Sequence, residues 1–339
     1  MNHADDSTIR FIAKSAQEAA AIVRERLGPE GRVISVEQIM GSGLKRFVSA
    51  PRLQIVAKKV PPPEFSSKTK TSASEQAGPE APAPLPNPTT TRAGHRRTLS
   101  CRSLLLKAGF SSRLMARLEG AERWREIGEM EAGEGLPQAI AWLRQYRAKP
   151  EPLDENSTIA FIGFAGAGKT SALLKYLARE LFLYNRTPKV LQMEVDKPHM
   201  DSGLSLYCDV LGVPCFEDPS QIKGTGALLI DVPGVPPSAK KEQANLAAAL
   251  KAIGTEHRVL VMNAAYENPV LERHSELGLA LGATHRVYTH LDELDNVSKL
   301  WVGVLDPKCP TLFFSNGQNM VGNLVEDSFG FLIERTFPR

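Results

Sequence analysis

The chain has 339 residues, 42% of them hydrophobic, enough to bury a sizeable core and long enough for two or three domains. Its net charge of +3 divides unevenly: residues 1–100 carry 15 Lys and Arg against 9 Asp and Glu, so the amino-terminal part is basic and the remainder slightly acidic. No run of about 18 apolar residues occurs and no apolar signal segment follows the first residues, so the expectation is neither secretion nor a membrane span, and any membrane contact is peripheral.

Cys101, Cys208, Cys215 and Cys309 are scattered, with no C-x-x-C spacing and no Cys/His cluster, which points to a reducing cytoplasm and away from a metal scaffold. In chain order, Thr8 to Ile12 alternates like a strand, and Ser15 to Glu18 is an S-x-x-E capping box opening a helix that ends before Gly28-Pro29. Two β-rich runs follow, Arg32 to Val36 and Arg46 onward to Val56, so residues 1–60 read as a basic βαββ module, a binding unit or spacer with nothing catalytic in it. Its charge fits either a weak pull toward anionic lipid or nucleic acid or an ordinary solvated surface. Residues 61–100 are rich in Pro, Ser, Thr and Ala and nearly empty of large aliphatics; they cannot bury enough apolar surface to offset ordering entropy, and a disordered linker is expected. Helical spacing at 104–110, 114–118 and 136–143 predicts a short bundle over 101–155.

From residue 156 to 339, apolar strands near 158–163, 189–194, 227–231, 258–262, 284–289 and 311–315 alternate with helix-length amphipathic segments. This pattern predicts an α/β core with a parallel sheet covered on both faces. Ligands of such sheets sit at the carboxyl ends of the strands. The first of these strands runs into Gly163-Phe164-Ala165-Gly166-Ala167-Gly168-Lys169-Thr170, a G-x-x-x-x-G-K-T phosphate loop. Its glycines let successive backbone N–H groups point at phosphate oxygens, Lys169 reaches the outer phosphates, and Thr170 can hold Mg²⁺. Ala165, Ala167 and Ser171 complete the cradle, and the helix that follows adds its dipole.

Leu228-Leu229-Ile230-Asp231 ends a buried strand in a carboxylate, where an Asp approaches the metal ion of such enzymes, although a strand-end Asp also serves as a loop cap. Gly234 can offer an N–H to a γ-phosphate. Thr289-His290-Leu291-Asp292-Glu293 places a carboxylate, Asp292, able to accept both N1–H and N2–H₂ of guanine. The Gly317-Gln318 turn can bring backbone N–H groups to the base.

These segments together resemble the signal-recognition-particle (SRP) family of GTPases. GFAGAGKTSALLKYLA is similar to that family's GxxGxGKTTTxxKLA, LGATHRVYTHLDE to LGxxxxxxTKLDE, FFSNGQNMVGNL to TxGQxVPxDL, and YCDVLGVP to YAxxLGVP. The opening FIAKSAQEAAAIVRERLGPEGRVIS and the order of module, Pro-rich linker, bundle and GTPase core resemble the flagellar FlhF branch. The resemblance implies a P-loop NTPase core of the SRP type, GTP and Mg²⁺ as ligands, and a homodimer formed across the nucleotide sites. It also implies peripheral attachment to the inner membrane, a role in siting the flagellum and an FlhG-like ATPase partner, with RNA not expected.

Three departures matter. The family's D-T-x-R segment and following Gln are absent between Glu194 and Leu206, where Lys197 is the stand-in cation and His199 either replaces the Arg in one register or is an ordinary surface His. DTAGR appears as Asp231-Val232-Pro233-Gly234-Val235, and His290 replaces the Lys that packs on guanine. Groups that stabilise developing charge are worth on the order of 10³-fold in phosphoryl transfer. The expectation is therefore GTP binding with slow hydrolysis, Asp231 and Lys197 being the catalytic candidates. A non-hydrolysing GTP-dependent scaffold and an ATP-driven motor or kinase remain the alternatives.

Overall fold

The computed structural model describes residues 8–13, 16–28, 31–39, 52–59, 99–193, 203–320 and 322–337. The amino-terminal unit comprises β1 (Thr8–Ala13), α1 (Ala16–Leu27), β2 (Gly31–Ile39) and β3 (Arg52–Lys59). Its antiparallel sheet has the order β1-β3-β2. Alternation along β1 turns Ile9, Phe11 and Ala13 to one side, where they meet Val23 and Leu27 of the helix and Ile55 and Ala57 of β3. Ser15, Arg46 and almost all of the expected linker lie outside the described residues.

Four short helices follow: α2 (Cys101–Lys107), α3 (Ser112–Leu118), α4 (Glu122–Glu129) and α5 (Ala132–Tyr146). Ser100 and Ser111 cap α2 and α3 by accepting from the backbone N–H of Ser103 and Leu114. Leu105, Leu114, Met115, Leu118, Trp124 and Leu143 fill the centre of the bundle, and Phe110 stacks on Trp301 of the larger unit at 5.2 Å. One apolar core therefore runs through the bundle and one face of the large sheet.

The large unit runs β4 (Thr158–Ile162), α6 (Lys169–Phe182), β5 (Lys189–Gln192), α7 (Leu204–Leu211), β6 (Cys215–Phe216), β7 (Leu228–Asp231), α8 (Lys240–Ala252), β8 (His257–Asn263), α9 (Asn268–Ala280), β9 (His285–Thr289), α10 (Trp301–Val304), β10 (Thr311–Ser315), β11 (Leu324–Val325) and α11 (Ser328–Thr336). The eight strands lie in the order β11-β10-β9-β8-β4-β7-β5-β6. All pairs are parallel except β10 with β11. Strands β7 and β9 are buried at every residue, as expected of a parallel sheet with both faces covered. The chain crosses from β4 past β7 to β5, then returns from β7 to β8 on the other flank of β4. That reversal opens a crevice at the carboxyl ends of β4, β7 and β8, the usual ligand position in open α/β sheets.

Val210 of α7 and Phe182 at the end of α6 share the apolar cluster of the amino-terminal unit. Helix α1 of that unit packs against α6 and α7.

Candidate nucleotide site

The phosphate loop leaves β4 at Gly163 and curls through three glycines with positive φ, Gly163 at 149°, Gly166 at 74° and Gly168 at 82°. These values favour residues without a Cβ. At Gly163 a Cβ would also lie 2.5 Å from the carbonyl oxygen of Val261, so strand β8 itself excludes a side chain there. Ala165, Gly166 and Ser171 are exposed on the rim, whereas Ala167 and Lys169 are buried.

Lys169 opens α6 and folds back so that Nζ donates to the carbonyl of Phe164 at 3.0 Å. Burial pulls its ammonium below the ordinary lysine range, and Asp231 opposes that shift. Beside it the Thr170 hydroxyl donates to Asp231 Oδ2 at 2.7 Å, joining the loop to the end of β7. Gly234, three residues beyond, packs so closely that a Cβ there would collide with the Ala165 backbone nitrogen. From β9 the Thr289 hydroxyl donates to the Ala167 carbonyl at 2.8 Å. Its oxygen also lies 2.8 Å from Nδ1 of His290. Residues from three separate strand ends thus meet one loop.

The segments expected to hold the base are assembled differently. His290 takes a left-handed conformation, φ 58°, which costs a non-glycine residue about 1 kcal/mol and turns the chain into the short 3₁₀ segment Leu291–Glu293. Asp292 is exposed on that segment. Gly317, φ 115°, forms the facing turn, and Gln318 is exposed beside it.

These two elements are linked by a residue that the motif reading did not assign, Lys175, 3% exposed on α6. Its Nζ donates to Ser315 Oγ at 2.6 Å, to the Gly317 carbonyl, and more distantly to the Asn323 carbonyl at 3.5 Å. Burial lowers its pKa to about 8 while Asp292 pulls the other way, so its ammonium lies in the field of the carboxylate expected to read guanine. The sequence signal was available: a lysine in an otherwise apolar stretch of helix, Ala172-Leu173-Leu174-Lys175-Tyr176-Leu177, has a stem that must be buried and a charge that must find acceptors.

Phe164, His274 and Tyr266 form an aromatic wall along the loop, with Phe164 and His274 centroids 3.7 Å apart. Val232 and Val235 are buried in the main core, 0% and 6% exposed. Lys197 and His199 lie outside the described residues, so the structure gives no position for the expected stand-in cation.

No family model matches the chain. Over 197 residues it is 25% identical to the flagellar biosynthesis protein FlhF of Pseudomonas aeruginosa, a match covering 55% of this chain and 46% of that protein, so it spans about half the length of this curated relative. Among solved structures, FlhF complexed with GTP and Mg²⁺ superposes with a TM-score of 0.57 at 18% identity, covering 70% of this chain and 97% of the other. Chloroplast FtsY from Physcomitrella patens gives 0.57 at 18%, covering 70% and 86%. The cell division protein FtsY from Thermotoga maritima gives 0.57 at 16%, covering 74% and 90%. With its phosphate loop, mostly parallel sheet and motif order, the chain therefore has the fold of the SRP-type GTPases FlhF and FtsY and is FlhF-like in sequence.

Proposed function

We propose that this chain binds GTP with Mg²⁺ and acts as an SRP-type GTPase in flagellar biosynthesis and placement. The observation that carries the reading is the convergence on one loop of Thr170 with Asp231, Gly234 with Ala165, and Thr289 with Ala167. In this reading Gly163 to Ser171 hold the phosphates, Asp231 and Gly234 respond to the γ-phosphate, and Asp292 with Gly317 and Gln318 selects guanine. A hydroxyl and a carboxylate 2.7 Å apart form an all-oxygen donor pair, the chemistry Mg²⁺ prefers, so Thr170 and Asp231 would hold the ion. When bound, Mg²⁺ supplies neutralisation of charge on the phosphates. The FlhF complexes with GTP/Mg²⁺ and GMPPNP/Mg²⁺ support this assignment through their shared fold.

A homodimer across the nucleotide sites, peripheral attachment to the cytoplasmic face of the inner membrane, and an FlhG-like ATPase partner complete the proposal. Among the described residues no helix is long and apolar enough to cross a membrane. Hydrolysis by the isolated protein is slow, well below about 1 s⁻¹, because the positions occupied by Thr and Arg in DTAGR hold core valines. That same observation favours a second reading, a scaffold in which GTP is only a ligand stabilising the dimer.

Titration of the purified chain with GTP, GDP and ATP, followed by turnover at saturating GTP, tests these readings. GTP is expected to bind far more tightly than ATP and to turn over slowly. Equal affinities would remove the guanine assignment, absent turnover would select the scaffold, and brisk turnover would defeat the claim of slow hydrolysis.

A further inference from the structure

The far edge of the core sheet holds two thiols that the nucleotide chemistry does not use. Helix α7 ends at Gly212, whose φ of 70° reverses the chain, and the backbone N–H of Val213 donates to the Cys208 carbonyl at 2.9 Å. Pro214 then leads into β6, where Cys215 pairs with Val190 of β5. The turn brings β6 against the end of α7, and the Cys208 and Cys215 side chains lie in one apolar cluster.

We propose that Cys208 and Cys215 are a peroxide-oxidisable pair that closes to an intramolecular disulfide and fastens α7 to the sheet edge. Cys215 is the attacking sulfur. It is partly exposed, whereas Cys101, Cys208 and Cys309 are fully buried. The Cys208 S–H donates to it, holding the Cys215 thiol below the ordinary range and pushing Cys208 above it, while burial pushes Cys101 and Cys309 up.

The Cys215 thiolate attacks the terminal oxygen of a hydroperoxide; the O–O bond breaks, hydroxide or alkoxide leaves, and Cys215 becomes a sulfenic acid. The Cys208 sulfur then attacks the Cys215 sulfur, forming the S–S bond and breaking the S–O bond. The sulfenic hydroxyl departs as water with the Cys208 proton. In total two thiols give two electrons to one hydroperoxide, yielding a disulfide, water and the alcohol, which for hydrogen peroxide is a second water.

Fastening has a mechanical consequence, because α7 carries Val210 into the cluster beneath the amino-terminal unit. A cross-link over this short loop stiffens the helix on which that unit rests.

The test treats the full-length, reduced protein with hydrogen peroxide and counts alkylatable thiols by mass spectrometry. The count is expected to fall from four to two, with a cross-linked peptide joining 208 and 215, recovery in dithiothreitol, and slower amide exchange over Leu204–Leu211 in the oxidised form. In Cys208→Ser, oxidation should stop at a Cys215 sulfenic acid trapped by dimedone. The wild-type measurement stands even if that variant fails to fold. A wild-type chain that keeps four free thiols under conditions that oxidise a control dithiol, or that cross-links another pair, would overturn the proposal.

Discussion

In the proposed site, the phosphate end and the base end are held by different means. At the phosphate end the loop's own backbone carries the shape: three positive-φ glycines, a carbonyl accepting from Lys169, another accepting from Thr289, and a glycine packed against a peptide nitrogen. At the base end one buried ammonium, Lys175, gathers Ser315, Gly317 and Asn323 into a turn opposite Asp292. A cradle shaped by backbone owes its form chiefly to its glycines. A site hung on one cation depends on that cation's charge, and therefore on pH.

The largest expected effect attacks the phosphate end. Lys169→Ala should weaken GTP binding roughly 1,000-fold, since it removes two charge-assisted contacts of about 1.5–3 kcal/mol each, while circular dichroism stays native. Undiminished affinity by calorimetry would mean that the backbone alone suffices.

Next is the stretch behind that end. Val235 sits in the core, so Val235→Arg, the change that restores the family's Arg, should cost about 3 kcal/mol in a urea titration and leave turnover no faster. Unchanged stability with raised turnover would show that residues 232–236 can swing the side chain toward the phosphates.

At the base end, Asp292→Asn should lower GTP affinity about 50-fold and narrow the preference over xanthosine triphosphate, because an acceptor becomes partly a donor. Equal loss for both nucleotides would take Asp292 out of base reading.

A smaller effect is specific to Lys175. Its ammonium loses its proton as pH rises through about 8, ahead of ordinary lysines, so GTP affinity should fall about tenfold between pH 7 and 9, and Lys175→Met should flatten that profile. Stability moves in the opposite direction. Between about 8 and 10.5 the folded chain binds fewer protons at this site than the unfolded chain, so the group's contribution to stability rises with pH. Affinity and stability shifting together would point to another residue.

The smallest effect concerns the amino-terminal unit. Deleting residues 1–98 should leave GTP affinity within about twofold, yet uncover Val210 and Phe182 and promote self-association visible by light scattering. A large loss of affinity would tie that unit to the groove.

Much of the core was legible before the structure because buried parallel strands and glycine turns write themselves locally. The six strands expected from the run at 158–163 to that at 311–315 correspond to β4, β5, β7, β8, β9 and β10. What escaped had no local signature. Helix α4, ERWREIGE, offers only Trp124 and Ile127 to the core, too few for a clear period. The strands β6 and β11 have two residues each and exist only through their partners. Lys175 differs: its burial had a local signal, but its acceptors lie 140 or more residues downstream, and only the sheet brings them near.

Helix α6 has one more consequence. Lys169 and Lys175 stand six residues apart on it, about 9 Å along its axis, so a single rigid rod fixes the spacing between the phosphate cradle and the base turn. In the proposed site, the protein would act as a caliper with jaws that cannot slide. Pyrophosphate or guanosine alone would close on one jaw and bind weakly. Only a molecule that spans both turns the second contact into an intramolecular event.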